Sequence, residues 1–136
     1  MSAPMVAPEV AEAEFERFVE VMDLDVDSTD MDAEDRKSLD DSKRRFIRAV
    51  VCGSLVVNES GEPVFTPTVG DRAEITFYEP DGTALMAMDR AKKGHDVEKT
   101  NLVLAALTKQ LPKRFAAMKN RDLKLCQAIL CFYMGG

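Results

Sequence analysis

The last stretch of this chain constrains its folding more than any other. Between Leu123 and Met134, ten of twelve residues are apolar, and only Lys124 and Gln127 interrupt them. Asn120 or Asp122 can open a helix here, and the helix runs through Cys131 or beyond. A helix that is apolar on nearly every side has to be covered on every side. With 136 residues, a single domain can bury roughly two thirds of its unfolded surface. The last helix is therefore the central core helix, or gives one stripe to the core and another to a partner.

The remaining elements follow from periodicity. Phe15, Phe18, Val19 and Met22 repeat at spacings of three and four, which predicts an amphipathic helix over 11–22. An acid-rich loop follows, then a second helix over 33–51 with Leu39, Phe46, Ile47 and Val50 on one side. Gly53 ends the helical pattern. Leu55 to Val57 and Val64 to Thr66 read as two strands joined through Asn58-Glu59-Ser60-Gly61. Ala73 to Tyr78 alternates as a third strand, with Ala73, Ile75 and Phe77 offered to a core, and Pro80 stops it.

Beyond Pro80 the chain reads as helical. Asp81 or Thr83 starts a helix that Gly94 ends, and Asp96 caps another that runs to about Gln110. Pro112 begins a short helical turn through Met118. The expected class is α+β and helix-dominated: N-terminal helices, a small antiparallel hairpin or three-strand sheet, and a helical C-terminal half. The divisions expected are a disordered 1–10, an acidic helix-loop-helix over 11–51, and a compact α+β domain over 52–136, with its hairpin at 54–78 and its helices at 81–134. There is no internal repeat.

Charge is unevenly spread. Residues 1–42 carry 14 acidic against 3 basic side chains, and residues 43–136 carry 15 basic against 10 acidic. Surface ion pairs alone hold a segment weakly, so the acidic third is expected to be solvated and flexible, keeping the molecule soluble. No run reaches the roughly 18 apolar residues of a membrane span. Residues 1–10 lack the basic start and apolar run of a secretory signal, so a cytoplasmic location is expected. The three cysteines, Cys52, Cys126 and Cys131, form no CxxC pair, and buried free thiols are the expected state.

Three functional motifs fail against blander readings. Asp23, Asp25, Asp27 and Glu34 stand at positions 1, 3, 5 and 12 of a calcium loop. Position 6 is Ser28 where the sharp turn calls for Gly, position 8 is the acidic Asp30, and no second loop exists to pair with it. An acidic solvated linker is the reading adopted. His95, the sole histidine, lies in a polar inter-helix turn with no nucleophile motif nearby. GxSxG, P-loop and HExxH motifs are all absent. The expectation is a non-enzyme with no catalytic residue, cofactor or metal. Lys43, Arg44, Arg45 and Arg48 form one basic group, and Lys113, Arg114, Lys119, Arg121 and Lys124 a second. Such groups bind phosphate if they converge, but a pI near 4.8 argues against nucleic acid as the partner. A calcium-responsive or nucleic-acid-associated small regulatory or structural protein stands as the alternative.

From about Ile75 to Phe132 the chain resembles the tail assembly chaperone family of tailed bacteriophages and prophages. The residues carrying the resemblance are Ile75-Thr76-Phe77-Tyr78-Glu79-Pro80, Asp81-Gly82-Thr83-Ala84-Leu85, Leu104-Ala105-Ala106-Leu107-Thr108 and Arg121-Asp122-Leu123-Lys124. The hairpin over 55–66 matches the usual family beginning, whereas the acidic N-terminal helix pair departs from the shorter family pattern. The resemblance implies binding to the apolar helices of the tape measure protein and recruitment of tail tube subunits. It also implies residence in the host cytoplasm outside the mature virion and no catalytic residue; a homo-oligomer formed through an outward stripe of the last helix is a separate expectation. A client of that kind calls for adaptable apolar contacts, which Met86, Met88, Met118 and Met134 offer. The candidates for core or client surface are Leu85, Met88, Leu104, Leu107, Phe115, Leu125, Ile129 and Phe132.

Overall fold

The computed structural model describes residues 6–24, 26, 29, 31–92 and 97–134. Its elements are α1 (Pro8–Val21), α2 (Ala33–Val51), β1 (Leu55–Val57), β2 (Pro63–Phe65), β3 (Ile75–Thr76), α3 (Gly82–Lys92), α4 (Val97–Thr108), α5 (Pro112–Ala116) and α6 (Asn120–Tyr133). The chain is helix-dominated α+β, with one antiparallel sheet in the order β1-β2-β3.

Local chemistry accounts for most boundaries. Asp32 caps α2 by accepting a hydrogen bond from the Asp35 N–H at 2.8 Å, and Asp81 accepts from the Ala84 N–H at 3.0 Å at the start of α3. Pro8 and Pro112 occupy the first turns of α1 and α5, where a missing N–H costs nothing. The hairpin turn is built on Asn58, whose Oδ1 accepts from the N–H groups of Ser60 and Glu62 at 3.0 and 2.9 Å. Gly61 completes the turn with φ at 79°, left-handed backbone that side chains disfavour. In the sheet, Leu55 pairs with Phe65, and Phe65 in turn with Ile75, so one face is apolar and buried.

The core runs through the described chain from Ala11 to Tyr133. At one end Phe15 and Phe18 of α1, Phe46 of α2, and Phe132 of α6 form an aromatic cluster. Phe18 stacks on Phe46 at 5.1 Å between centroids, and Phe15 meets Phe132 edge-on at 5.1 Å. Each fully buried aromatic side chain contributes on the order of 2–3 kcal/mol.

Several expectations need correction here. The acidic N-terminal third was expected to be solvated and flexible, but in its described part α1 and α2 bury their apolar stripes in the same core as α6. Helix α1 begins at Pro8 and so takes in three residues expected to be disordered, and the Val6 N–H donates to the Val51 carbonyl at 3.0 Å. Polar contacts reinforce this arrangement. The Arg17 guanidinium on α1 donates to the Asn58 and Val57 carbonyls at 2.8 and 2.7 Å, tying the helix to the hairpin. Strand β3 is two residues long, and Ala73 is exposed because the chain before it belongs to a loop held by other contacts. Cys126 is buried as expected, but Cys52 is exposed at the C-cap of α2 and Cys131 is half-buried; all three are free.

Candidate functional site

Of the eight apolar candidates, seven lie inside the molecule. Met88, Leu104, Leu107, Phe115, Leu125, Ile129 and Phe132 are all buried, and only Leu85 is exposed, at 54%. The seven form the core between the helices, so they reach a partner only if the fold opens. Beside Leu85, the apolar side chains presented outward on α3 and α4 lie outside that set. Leu85 and Met86 protrude from α3 and Leu102 from α4, with Met86 62% exposed. These two helices pack against each other, and their buried faces already supply Ala84, Met88, Val103, Leu104 and Leu107 to the interior. Periodicity marks which residues are apolar but not which helical stripe is left over. That is why Leu102 was missed as a surface candidate, whereas Met86 stood among the methionines expected to offer adaptable contacts.

A second feature is a cleft of about 510 Å³ between the β2–β3 loop and the α4–α5 junction. Val69 on the loop side and Leu111 on the helix side line it, 48% and 62% exposed. Pro67, Ala117 and Met118 complete its apolar surface. Two polar clamps hold the loop in place. The buried Asp122 at the start of α6 accepts from both the backbone N–H and the hydroxyl of Thr68, at 3.0 and 2.9 Å. At the far end of the loop, Arg114 of α5 donates to the Ala73 carbonyl and to Gln110 at 2.9 Å, and lies 3.7 Å from Asp71. The cleft wall is thus fixed from α5 and α6 rather than left as a free loop. Asp122 was read as a possible helix cap, but Lys119 occupies that position without a side-chain cap. The Asp122 carboxylate is used across the fold instead.

The two basic sequence groups converge in part. Arg45 of α2 joins Lys119, Arg121 and Lys124 around a shallow depression beside Thr68 and Val69, and Lys113 and Arg114 continue the basic edge along the cleft. Lys43 turns away toward α1, where it pairs with Glu12 at 3.6 Å and lies 5.5 Å from the Phe15 ring centroid. Arg44 pairs with Asp41 at 3.4 Å. The helix packing, not the sequence spacing, decides which cations share a face.

The acid loop and the sole histidine fall largely outside the described residues: Asp25, Asp27, Ser28, Asp30 and His95 are among those not described. Among the described residues no group of three His, Cys, Asp or Glu side chains is arranged to hold a metal ion. Asp32 serves as a helix cap. No described helix is long and apolar enough to cross a membrane.

Two buried groups have displaced acidities. Burial, followed by the negative charge of Asp122, pushes the Cys126 thiol up to about 12, with Arg114 acting in the opposite sense. The Tyr133 hydroxyl is also pushed up, first by burial and then by Glu62 and Glu79; it donates to the Phe77 carbonyl at 3.1 Å. Both groups stay protonated and serve the interior. No protein-family model matches the chain, and neither a curated protein nor a solved structure matches it significantly.

Proposed function

We propose that this chain is a tail assembly chaperone of a tailed bacteriophage or prophage, acting in the host cytoplasm without catalysing a reaction. It binds apolar helical segments of the tape measure protein and helps recruit tail tube subunits. The observation that carries this reading is the pair Leu85 and Met86, left in solvent on α3 although the core beneath that helix is closed. The pair lies within the stretch that resembles the family. Unbranched Met adapts its shape to varied apolar partners, and the charged surface around it keeps such a complex in solution.

Co-expression with the phage tape measure protein tests the proposal. The expected result is that the tape measure protein becomes soluble and co-purifies with the chain. Substituting Leu85→Asp and Met86→Asp together should abolish that effect while leaving the fold intact, because neither side chain is buried. An insoluble tape measure protein in the presence of the wild-type chain would overturn the proposal.

A further inference from the structure

We propose that the cleft between the β2–β3 loop and α5 is a second binding site, which takes an amphipathic segment of a partner protein carrying carboxylates beside its apolar side chains. The inference goes beyond the chaperone reading and stands on the cleft alone. Val69, Leu111 and Met118 give it an apolar interior, and Val69 and Leu111 remain 48% and 62% exposed with nothing covering them among the described residues. A docked apolar side chain would be removed from water here at no cost in rearrangement, because the Thr68–Asp122 and Ala73–Arg114 hydrogen bonds already fix the loop.

Charge selects the occupant. Lys113 and Lys119 line the cleft, and Arg45, Arg121 and Lys124 extend the same basic edge into the adjoining depression. None of these five has an ion-pair partner among the described residues, in contrast to Lys43 and Arg44. The one carboxylate lining the cleft, Asp71, lies 3.7 Å from Arg114, so on a chain with a net charge of -6 the five cations without ion-pair partners are a local reversal of sign. It attracts a segment bearing carboxylates and disfavours a basic one. The cleft has no aromatic side chain in its lining, so it lacks the stacking platform on which single-stranded nucleic acid is held. Its exposed Leu and Val suit a peptide.

The test uses the full chain and three fluorescein-labelled probes in anisotropy titrations: a synthetic helical peptide with Leu on one face and Glu on its flanks, the same peptide with every Glu replaced by Lys, and a DNA oligonucleotide. The Glu peptide is expected to bind about tenfold or more tightly than the Lys peptide, and to weaken as ionic strength rises. Lys113→Glu with Lys119→Glu, and separately Leu111→Asp, should each weaken it about tenfold or more. These exposed positions leave the melting temperature nearly unchanged, which circular dichroism checks. The proposal is overturned if the Glu and Lys peptides bind equally, if the charge-reversed chain binds as well as wild type, or if DNA binds in place of the peptide. Self-association abolished by the same substitutions would overturn it too, since the occupant would then be a second copy of this chain. Failure here leaves the co-expression result untouched, and failure of co-expression leaves the peptide titration untouched.

Discussion

Asp122 grips Thr68 with both carboxylate oxygens, 54 residues apart in sequence, one accepting from the Thr68 N–H and the other from its hydroxyl. Asp122 is only 2% exposed, and a buried carboxylate has to be hydrogen-bonded to be tolerated. This contact joins the start of α6 to the loop that walls the cleft. Replacing Asp122 with Ala removes both acceptors and leaves the Thr68 N–H without its partner. The expected loss is about 2–3 kcal/mol of stability, measured by urea denaturation. Hydrogen exchange should quicken in residues 66–74 before it does elsewhere.

The N-terminal helix contributes to the common core, and that has a direct consequence for truncation. Phe15 touches Phe18, Phe46 and Phe132. Phe15→Ala should cost about 3–4 kcal/mol by leaving a cavity among these rings. Phe132→Ala at the other end of the chain should cost about the same. A chain lacking residues 1–32 would expose Phe46 and Phe132 and should lose its cooperative melting transition, which calorimetry would report. A truncated chain that melted like the full one would contradict a shared core.

Gly61 is expected to resist substitution for two separable reasons. Its φ of 79° disfavours any side chain, and a Cβ there would stand 2.6 Å from Cγ1 of Val21. Gly61→Ala should cost about 1–2 kcal/mol from the backbone, plus the displacement of Val21. In a double-mutant cycle with Val21→Ala, only the steric part due to the two Val21 methyls is recovered, because the Val21 Cβ would still stand 2.7 Å away, and the backbone part remains. The measured coupling should therefore be favourable but incomplete.

Alkaline pH should weaken the fold through Cys126. In the unfolded chain its thiol ionises near 9.0, whereas the folded chain holds the proton up to about 12. Above pH 9 the unfolded state therefore releases a proton that the folded state retains, and stability falls as pH rises toward 12. Below pH 9 the contribution is constant. Cys126→Ala should reduce the downward slope of melting temperature against pH in that window, and leave the slope near neutrality unchanged. In the native chain an alkylating reagent should modify exposed Cys52 and spare Cys126, as peptide mass mapping would show.

Local chemistry made the element plan legible in the sequence. The bounds expected for α2, and for β1 at Leu55–Val57, are those observed. Helical periodicity, Asp32, Gly53 and the Asn58–Gly61 turn all act within a few residues. Strand β2 slipped by one residue, to Pro63–Phe65, and β3 shrank to two residues, because strand limits depend on which neighbour completes the ladder. The apolar last helix was rightly marked as needing cover on nearly every side: Leu125, Cys126, Ala128, Ile129, Leu130, Phe132 and Tyr133 are all buried.

By itself, the order of residues determined the helical and extended segments, the apolar set that had to be enclosed, and the lack of any familiar reactive motif. Tertiary structure alone decided that the acidic helices close the same core as α6, that Leu85, Met86 and Leu111 stay in water, and that Arg45 meets Lys119, Arg121 and Lys124 on one face. The reason is physical. Periodicity and capping are interactions over three or four residues along the chain, whereas which apolar stripe is buried and which cations become neighbours depends on how separate helices pack. That arrangement is settled by competition among many contacts of similar strength.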